Sequence, residues 1–269
     1  MSGSDLKIAI CFYGITRSLR HTIGSIKTNL IEPADKFGTV KIFAHFFDQD
    51  RVENPRSKES EQLDKNEFEL LKADCVQLEQ PDLCLDLLNF EALKTFGDAR
   101  RDGFNSLRNL VHALHSLKQV TEMAAEWRPD IVIFARPDLQ YHSSIEPCLK
   151  EAMQVTEPTI FIPDWQHWRG GYNDRFSVCV GLEAARVYGT RADQMLTYSE
   201  TFREPLHSES LLRFVMERST SSIRFMSNRA TRVRADGRLK KERFEVSFPD
   251  KLKTFLRRTR RKLRGLPPV

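Results

Sequence analysis

The chain has 269 residues, 40% hydrophobic and 29% charged, enough for one large α/β domain or two small ones with a sizeable core. Its N-terminal apolar run is short and lacks a basic flank, and no stretch is long enough to span a bilayer, so neither a signal peptide nor a membrane-spanning helix is expected. The net charge of +5 is local: residues 251–264 carry eight Lys/Arg and no acid, leaving 34 basic against 37 acidic residues elsewhere, so the body has no nucleic-acid footprint.

Five scattered cysteines (Cys11, Cys75, Cys84, Cys148, Cys179) are odd in number and lack metal-ligand spacing. They point to reduced thiols and a cytoplasmic location. In chain order, Lys7–Tyr13 reads as a first strand. Gly14-Ile15-Thr16-Arg17 then turns into a helix with Leu19, Ile23, Ile26 and Leu30 on one face, closed by Pro33. Val40–Phe47 is a second strand, with His45 and Asp48 near its exit. Strand, helix, strand over about forty residues predicts a right-handed βαβ unit in a parallel sheet. Gln49–Ser60 reads as a loop over the sheet edge, Leu63–Leu71 as a helix and Cys75–Leu78 as a short strand; residues 81–102 carry no clear pattern. Phe104–Trp127 keeps a 3–4 apolar spacing throughout and is the clearest helix. His112 and His115 on it read as packing or surface residues, because no carboxylate stands beside them at metal-binding spacing.

The stretch Pro129–Tyr141 organises the chain. Ile131–Phe134 is an apolar, β-branched run typical of a strand buried on both faces. It ends in Arg136-Pro137-Asp138, charges that belong where the strand emerges, and ligands bind at that end in open α/β sheets. An extended Arg-Pro-Asp places Arg136 and Asp138 on the same side, either facing a ligand or closing a strand-end salt bridge. Further on, Thr159–Pro163 and Phe176–Val180 read as strands flanking a segment, Asp164–Arg175, dense in Trp, Gly, Asn and Asp. Trp165 and Trp168 suit either sugar stacking or the core; Asn173 and Asp174 suit either hydroxyl and proton chemistry or a turn. Glu183–Phe202 and Ser210–Arg218 are helical, Ile223–Met226 is a last short strand, and Arg229–Arg243 is basic and irregular. Ser208 and Glu209 fit a helix start; His207 as a metal ligand and Glu209 as a base are the functional alternatives. No P-loop or dinucleotide fingerprint follows the first strand.

Four clusters in this order resemble a family of bacterial glycosyltransferases of polysaccharide biosynthesis. The similar motifs are Gly14/Arg17/Ser18 after the first strand, Arg136-x-Asp138, Gly170-Gly171-x-Asn173-Asp174-x-Phe176, and Glu209 followed by Leu211-Leu212. The resemblance covers roughly residues 7–226. It implies a GT-A-like α/β fold, a single domain over residues 1–250 with a mostly parallel central sheet flanked by helices. Residues 1–141 would form the nucleotide-sugar half and 142–250 the acceptor half, followed by a basic amphipathic tail, 251–269. It implies donor binding by Tyr13, Gly14, Arg17, Arg136 and Asp138, and sugar or acceptor binding by Trp165, Trp168, Gly171 and Asn173. Asp174 or Glu209 would take the acceptor proton. The family's Asp-x-Asp metal motif reads Arg136-x-Asp138 here, so diphosphate charge is expected on Arg136, with any Mg²⁺ or Mn²⁺ held by Asp138 and His207. The implied partners are a nucleotide-sugar donor and a polysaccharide or lipid-linked acceptor, with residues 251–264 suited to an anionic membrane surface on the inner face. No specific nucleic acid is expected. A nucleotidyltransferase and a non-catalytic carbohydrate-binding or assembly protein on a transferase scaffold are the rival readings.

Overall fold

The computed structural model describes residues 6–54 and 59–246. The basic segment 251–264, read above as a membrane-facing tail, lies outside the described residues. Seven strands form the main sheet: β1 (Lys7–Gly14), β2 (Thr39–Phe47), β5 (Cys75–Glu79), β6 (Ile131–Ala135), β8 (Thr159–Pro163), β9 (Ser177–Val180) and β10 (Ser222–Met226). Their order is β10-β8-β9-β6-β1-β2-β5. All pair in parallel except β9, which runs against both β6 and β8. The expected α/β class, a mostly parallel sheet flanked by helices, is the class observed.

The central strands are apolar on both sides because both sides are covered, whereas the edge strands β5 and β10 are mostly exposed or half-buried. Alternate residues of β1 serve opposite cores. Ala9, Cys11 and Tyr13 join one, with Phe43, Val132 and Phe134. Ile8, Ile10 and Phe12 join the other, with Ile42, Ala44, Ile131 and Ile133. The first core is closed by α5 (Asn105–Glu126), α7 (Leu182–Gly189), α8 (Met195–Phe202) and α9 (Ser208–Met216). The second is closed by α1 (Leu19–Ile26), α2 (Glu32–Asp35) and α6 (Glu146–Ala152).

Several local expectations change. Pro33 does not stop the first helix. The chain passes from α1 through a π-helical turn, Lys27–Ile31, into α2, where Pro33 sits in the first turn and needs no backbone donor. The supposed loop after β2 contains an antiparallel pair, β3 (Arg51–Asn54) and β4 (Glu59–Gln62). Only a 3₁₀ turn, Glu67–Leu71, replaces the helix expected over 63–71. The unpatterned residues 81–102 hold two short helices, α3 (Leu83–Leu87) and α4 (Phe90–Lys94). The helical stretch Glu183–Phe202 is broken between α7 and α8 by a 3₁₀ turn at Arg191–Gln194. The irregular basic stretch contributes β11 (Ala230–Arg232), which pairs antiparallel with β7 (Leu139–Tyr141), the strand directly after Asp138. Among the described residues no helix is long and apolar enough to cross a membrane.

The reversal of β9 positions the rest of the molecule. Parallel strands β1, β2, β6 and β8 all exit on one edge of the sheet. A reversed β9 begins on that same edge, as its register Phe134↔Ser177 shows. The whole β8–β9 connection therefore stays at the carboxyl edge. It is tied down by Trp165, which is wholly buried, donates Nε1–H to the Asn228 carbonyl at 2.8 Å, and meets Phe244 edge-to-face at 5.0 Å. Trp165→Ala should cost about 3–5 kcal/mol, as for other buried tryptophans. Urea unfolding checks this: an unchanged midpoint would place the side chain outside the core.

Candidate functional site

A cleft of about 800 Å³ opens at the carboxyl edge of the sheet. That size suits a small-molecule ligand. Of the donor-side residues read from the sequence, Tyr13, Gly14, Arg17, Arg136 and Asp138 line it. From the second half, Asp174, His207 and Glu209 reach the same cleft. The structure thus brings together eight residues spread over almost two hundred positions.

Gly14 ends β1 with φ +106°, a left-handed conformation that glycine takes without Cβ strain. Its N–H donates to Ser116 Oγ at 2.8 Å, which pins the β1 exit to α5. From the next turn Arg17 reaches into the cleft floor. It donates from Nη2 to Asp138 Oδ2 at 2.6 Å. Arg136 donates from Nε and Nη2 to the two Asp138 oxygens, both at 2.8 Å. The Arg-Pro-Asp turn therefore does aim both side chains the same way, and they meet as a bidentate pair.

Two further arginines complete the cluster, both from the basic stretch that follows the last strand of the main sheet. Arg232 Nε lies 3.9 Å from Asp138 Oδ2. Arg234 Nη1 donates to Glu59 Oε2 at 2.8 Å, and Arg17 Nη1 reaches the same oxygen at 3.5 Å. Glu59 and Asp138 are both buried. Four guanidinium groups thus share two carboxylates. Among the described residues, the buried Nε atoms of Arg17 and Arg232 have no hydrogen-bond partner. Burying charge without full compensation is costly, and an added anion would offset that cost.

The titration behaviour follows from this crowding. Burial works to lower the Arg136 pKa, but the Asp138 carboxylate outweighs it and the value is raised. Burial works to raise that of Asp138, and Arg136 and Arg17 drive it well below the carboxylate range. Arg232 is lowered to about 9, by burial and then by its neighbour Arg136.

The cluster occupies most of the expected metal ligand. Asp138 accepts three hydrogen bonds from Arg17 and Arg136, which leaves about one of its roughly four acceptor sites, so Mg²⁺ or Mn²⁺ would compete with guanidinium groups there. His207 faces Ser210 Oγ through Nδ1 at 3.2 Å and Glu209 Oε2 through Nε2 at 3.5 Å. Burial lowers its pKa to about 4. Asp138 and His207, the expected metal pair, thus both face protein partners.

The same cleft holds two further carboxylates in unlike surroundings. Asp174 accepts a hydrogen bond from Ser208 Oγ at the start of α9. Burial pushes its pKa up, but Arg191 and the Ser208 hydroxyl prevail and hold it low. Glu209 is raised to about 8, by burial and then by the charge of Asp174. Gly171 makes the juxtaposition possible: a Cβ there would collide with the Glu209 carbonyl, and Tyr172 N–H donates to that carbonyl at 2.9 Å. Gly171 is therefore a packing contact, outside the cleft lining.

The remaining sugar-binding expectations also change. Trp165 is fully buried and cannot stack on a ligand. Asn173 braces its own loop, donating Nδ2–H to the Trp165 carbonyl at 2.6 Å and accepting from Arg175 N–H at 3.1 Å. Trp168 is half-exposed on a 3₁₀ turn outside the cleft lining. Sequence reasoning missed Arg191, Arg232, Arg234, Glu59 and Ser208 as site residues. The basic character of 229–243 was the only signal for two of them.

No family model and no curated protein sequence matches the chain. Among solved structures it is similar to mouse xyloside xylosyltransferase 1 in the apo form, at 13% identity and a TM-score of 0.44, over 83% of this chain and 85% of that one.

The raised Glu209 has a consequence for stability. The folded state holds this proton more tightly than the unfolded chain does. Its contribution is present below the ordinary value of 4.5 and is lost as pH climbs through about 8. Glu209→Gln, neutral at every pH, should match the wild type near pH 4.5 and exceed its Tm near pH 9. Thermal melts across that range test this; a Tm difference that stays constant with pH contradicts the assignment.

Proposed function

We propose that the protein is a glycosyltransferase with a GT-A-like fold, taking a sugar from a nucleotide-sugar donor to a hydroxyl of a polysaccharide or lipid-linked acceptor. The observation that carries this reading is the surplus of buried and partly buried guanidinium groups that shares one cleft with a carboxylate pair. A nucleotide diphosphate carries the charge the arginines lack. As the glycosidic bond to the donor breaks, negative charge grows on the leaving phosphate, and fixed donors aimed there stabilise it. Arg136, Arg17 and Arg232 take that role. Asp138 holds their planes in place and needs no metal to do so.

On the acceptor side, two carboxylates with pKa values pushed apart mark a division of labour. Glu209, near neutrality, receives the proton of the attacking hydroxyl. Asp174, held ionised beside Arg191 and Ser208, orients the sugar or the acceptor. Tyr13 and Gly14 line the same cleft. The motif resemblance at Gly14/Arg17, Arg136/Asp138, Gly171/Asp174 and Glu209 supports the same reading.

The test is a thermal-shift screen against UDP-, GDP-, CMP- and dTDP-sugars, with and without added Mg²⁺ or Mn²⁺. One nucleotide class should stabilise the protein, and the shift should not need the added ion. Arg136→Ala should lower donor kcat/KM by about 2 kcal/mol equivalent, the low end for truncating a hydrogen-bonded charge partner, and Arg232→Ala should lower it by less. Unchanged donor turnover in both variants would remove the cluster from the mechanism. Binding without any donor turnover would favour a carbohydrate-binding protein.

The sequence of residues 251–264 extends the proposal to a membrane-associated acceptor. Eight basic side chains there suit an anionic bilayer at about 1 kcal/mol each near the surface. Co-sedimentation with anionic vesicles should fall when 251–269 are deleted; equal binding of both forms would sink the anchor.

A further inference from the structure

We propose that His45, Glu79 and His115 form a binding site for a divalent transition-metal ion of the zinc class, set behind the wall of the cleft and separate from the arginine cluster. The three ligands come from three elements that the sheet brings together. His45 lies near the end of β2, Glu79 ends β5, and His115 sits in the middle of α5. Glu79 Oε2 lies 3.1 Å from His45 Nε2 and 2.8 Å from His115 Nε2. All three ligand atoms fall within 4.8 Å of one another. A tetrahedral ion at roughly 2.0–2.2 Å from each ligand would separate neighbouring ligand atoms by roughly 3.3–3.6 Å, so the two contacts to Glu79 would lengthen by roughly 0.2–0.8 Å. Two imidazoles and one carboxylate form a donor set that zinc uses with water in the remaining position. The Glu79 side chain, one-fifth exposed, leaves a side open for that water.

The hydrogen bonds around His45 say which of its nitrogens is free to ligate. Ser116 has one hydroxyl proton and two lone pairs. Its Oγ accepts the Gly14 N–H at 2.8 Å and donates to the His45 carbonyl at 2.6 Å. The second lone pair faces His45 Nδ1 at 3.0 Å. His45 Nδ1 must therefore carry the proton. In a neutral ring that leaves the Nε2 lone pair directed at a carboxylate oxygen, a repulsive contact unless a cation lies between them. A metal ion resolves this contact and engages His115 as well. A proton shared between His45 Nε2 and Glu79 would relieve the contact too, but only the ion joins all three side chains at one point.

The surroundings match what a metal site requires. A ligating histidine usually donates its other N–H to an outer partner that fixes the ring, and Ser116 does this for His45. Phe47 packs on both imidazoles, with ring centroids 5.8 Å from His45 and 6.2 Å from His115. The site also touches the cleft through one chain of contacts: ion, His45, Ser116, Gly14. A bound ion would hold the edge strand β5 to α5 and hold the exit of β1 in its left-handed turn.

The experiment uses the full chain, purified without a metal-chelate resin. Elemental analysis should find about one zinc per chain. After stripping with a chelator, zinc should rebind and raise Tm, and Co²⁺ should give visible absorption bands. Glu79→Gln and His115→Gln should each weaken zinc binding by at least roughly 100-fold, beyond the roughly 10–100-fold that losing an outer partner costs; Ser116→Ala should fall in that smaller range. Circular dichroism identifies any variant that fails to fold, and the remaining ones carry the test. A stripped wild-type chain that takes up no zinc or cobalt overturns the proposal, and so does undiminished binding in both ligand variants. Metal content is read without donor, so failure here leaves the arginine cluster and its proposed role untouched.

Discussion

The contact on which the cleft depends is the buried carboxylate of Asp138, gripped by Arg17 and Arg136 with Arg232 beside it. One carboxylate among several guanidinium groups is not a stabilising device in its own right, because ions buried in a protein interior gain little over well-packed apolar groups. Its value is geometric. The bidentate pair with Arg136 fixes one plane, the bond to Arg17 fixes a second, and Glu59 fixes a third through Arg234. The cations are thereby held in place before any ligand arrives. A ligand proposed for this cluster would meet side chains that need little ordering, the usual cost of recognition on a flexible surface.

The fold supports this cluster through a single reversal. If β9 ran parallel to its neighbours, the β8–β9 connection would have to cross the sheet, and Asp174 would lie at the opposite edge. Because β9 is antiparallel, the connection returns at once along the carboxyl edge. It packs so tightly on the start of α9 that only glycine fits at position 171. The aromatic density of that loop has the same explanation. Trp165 anchors the loop to the segment after β10, Arg175 lies over its ring at 5.1 Å, and Asn173 braces the backbone. These residues hold the walls; Asp174 and Glu209 are the ones that face the cleft.

Much of this was legible in the residue order. The apolar runs at Lys7–Tyr13 and Ile131–Phe134 identified central strands, since only a strand covered on both faces has no polar side. The charges that end the second run marked where the strand emerges, and Arg136 and Asp138 do line the cleft there while also closing a strand-end salt bridge. What misled were residues whose type admits two roles. Trp165 is equally apt for a sugar face or a core, and sequence offers nothing to weigh burial in a core against exposure in a cleft. His112 and His115 were assigned to packing because their partners are not neighbours in sequence. Glu79 stands 36 positions from His115, and Asp82 meets His112 across 30.

The sequence by itself determined the class of fold, the strands at its centre and the edge where their charges gather, because periodicity and burial act over a few residues and leave a local record. The tertiary structure decided who meets whom. It chose arginines from a stretch with no pattern of its own to finish the anion cluster. It set Asp174 against Glu209, and drew two histidines and a glutamate from three elements onto one point. Those pairings depend on the reversal of one strand and on the crossing of α5 over the sheet, and no local spacing encodes either.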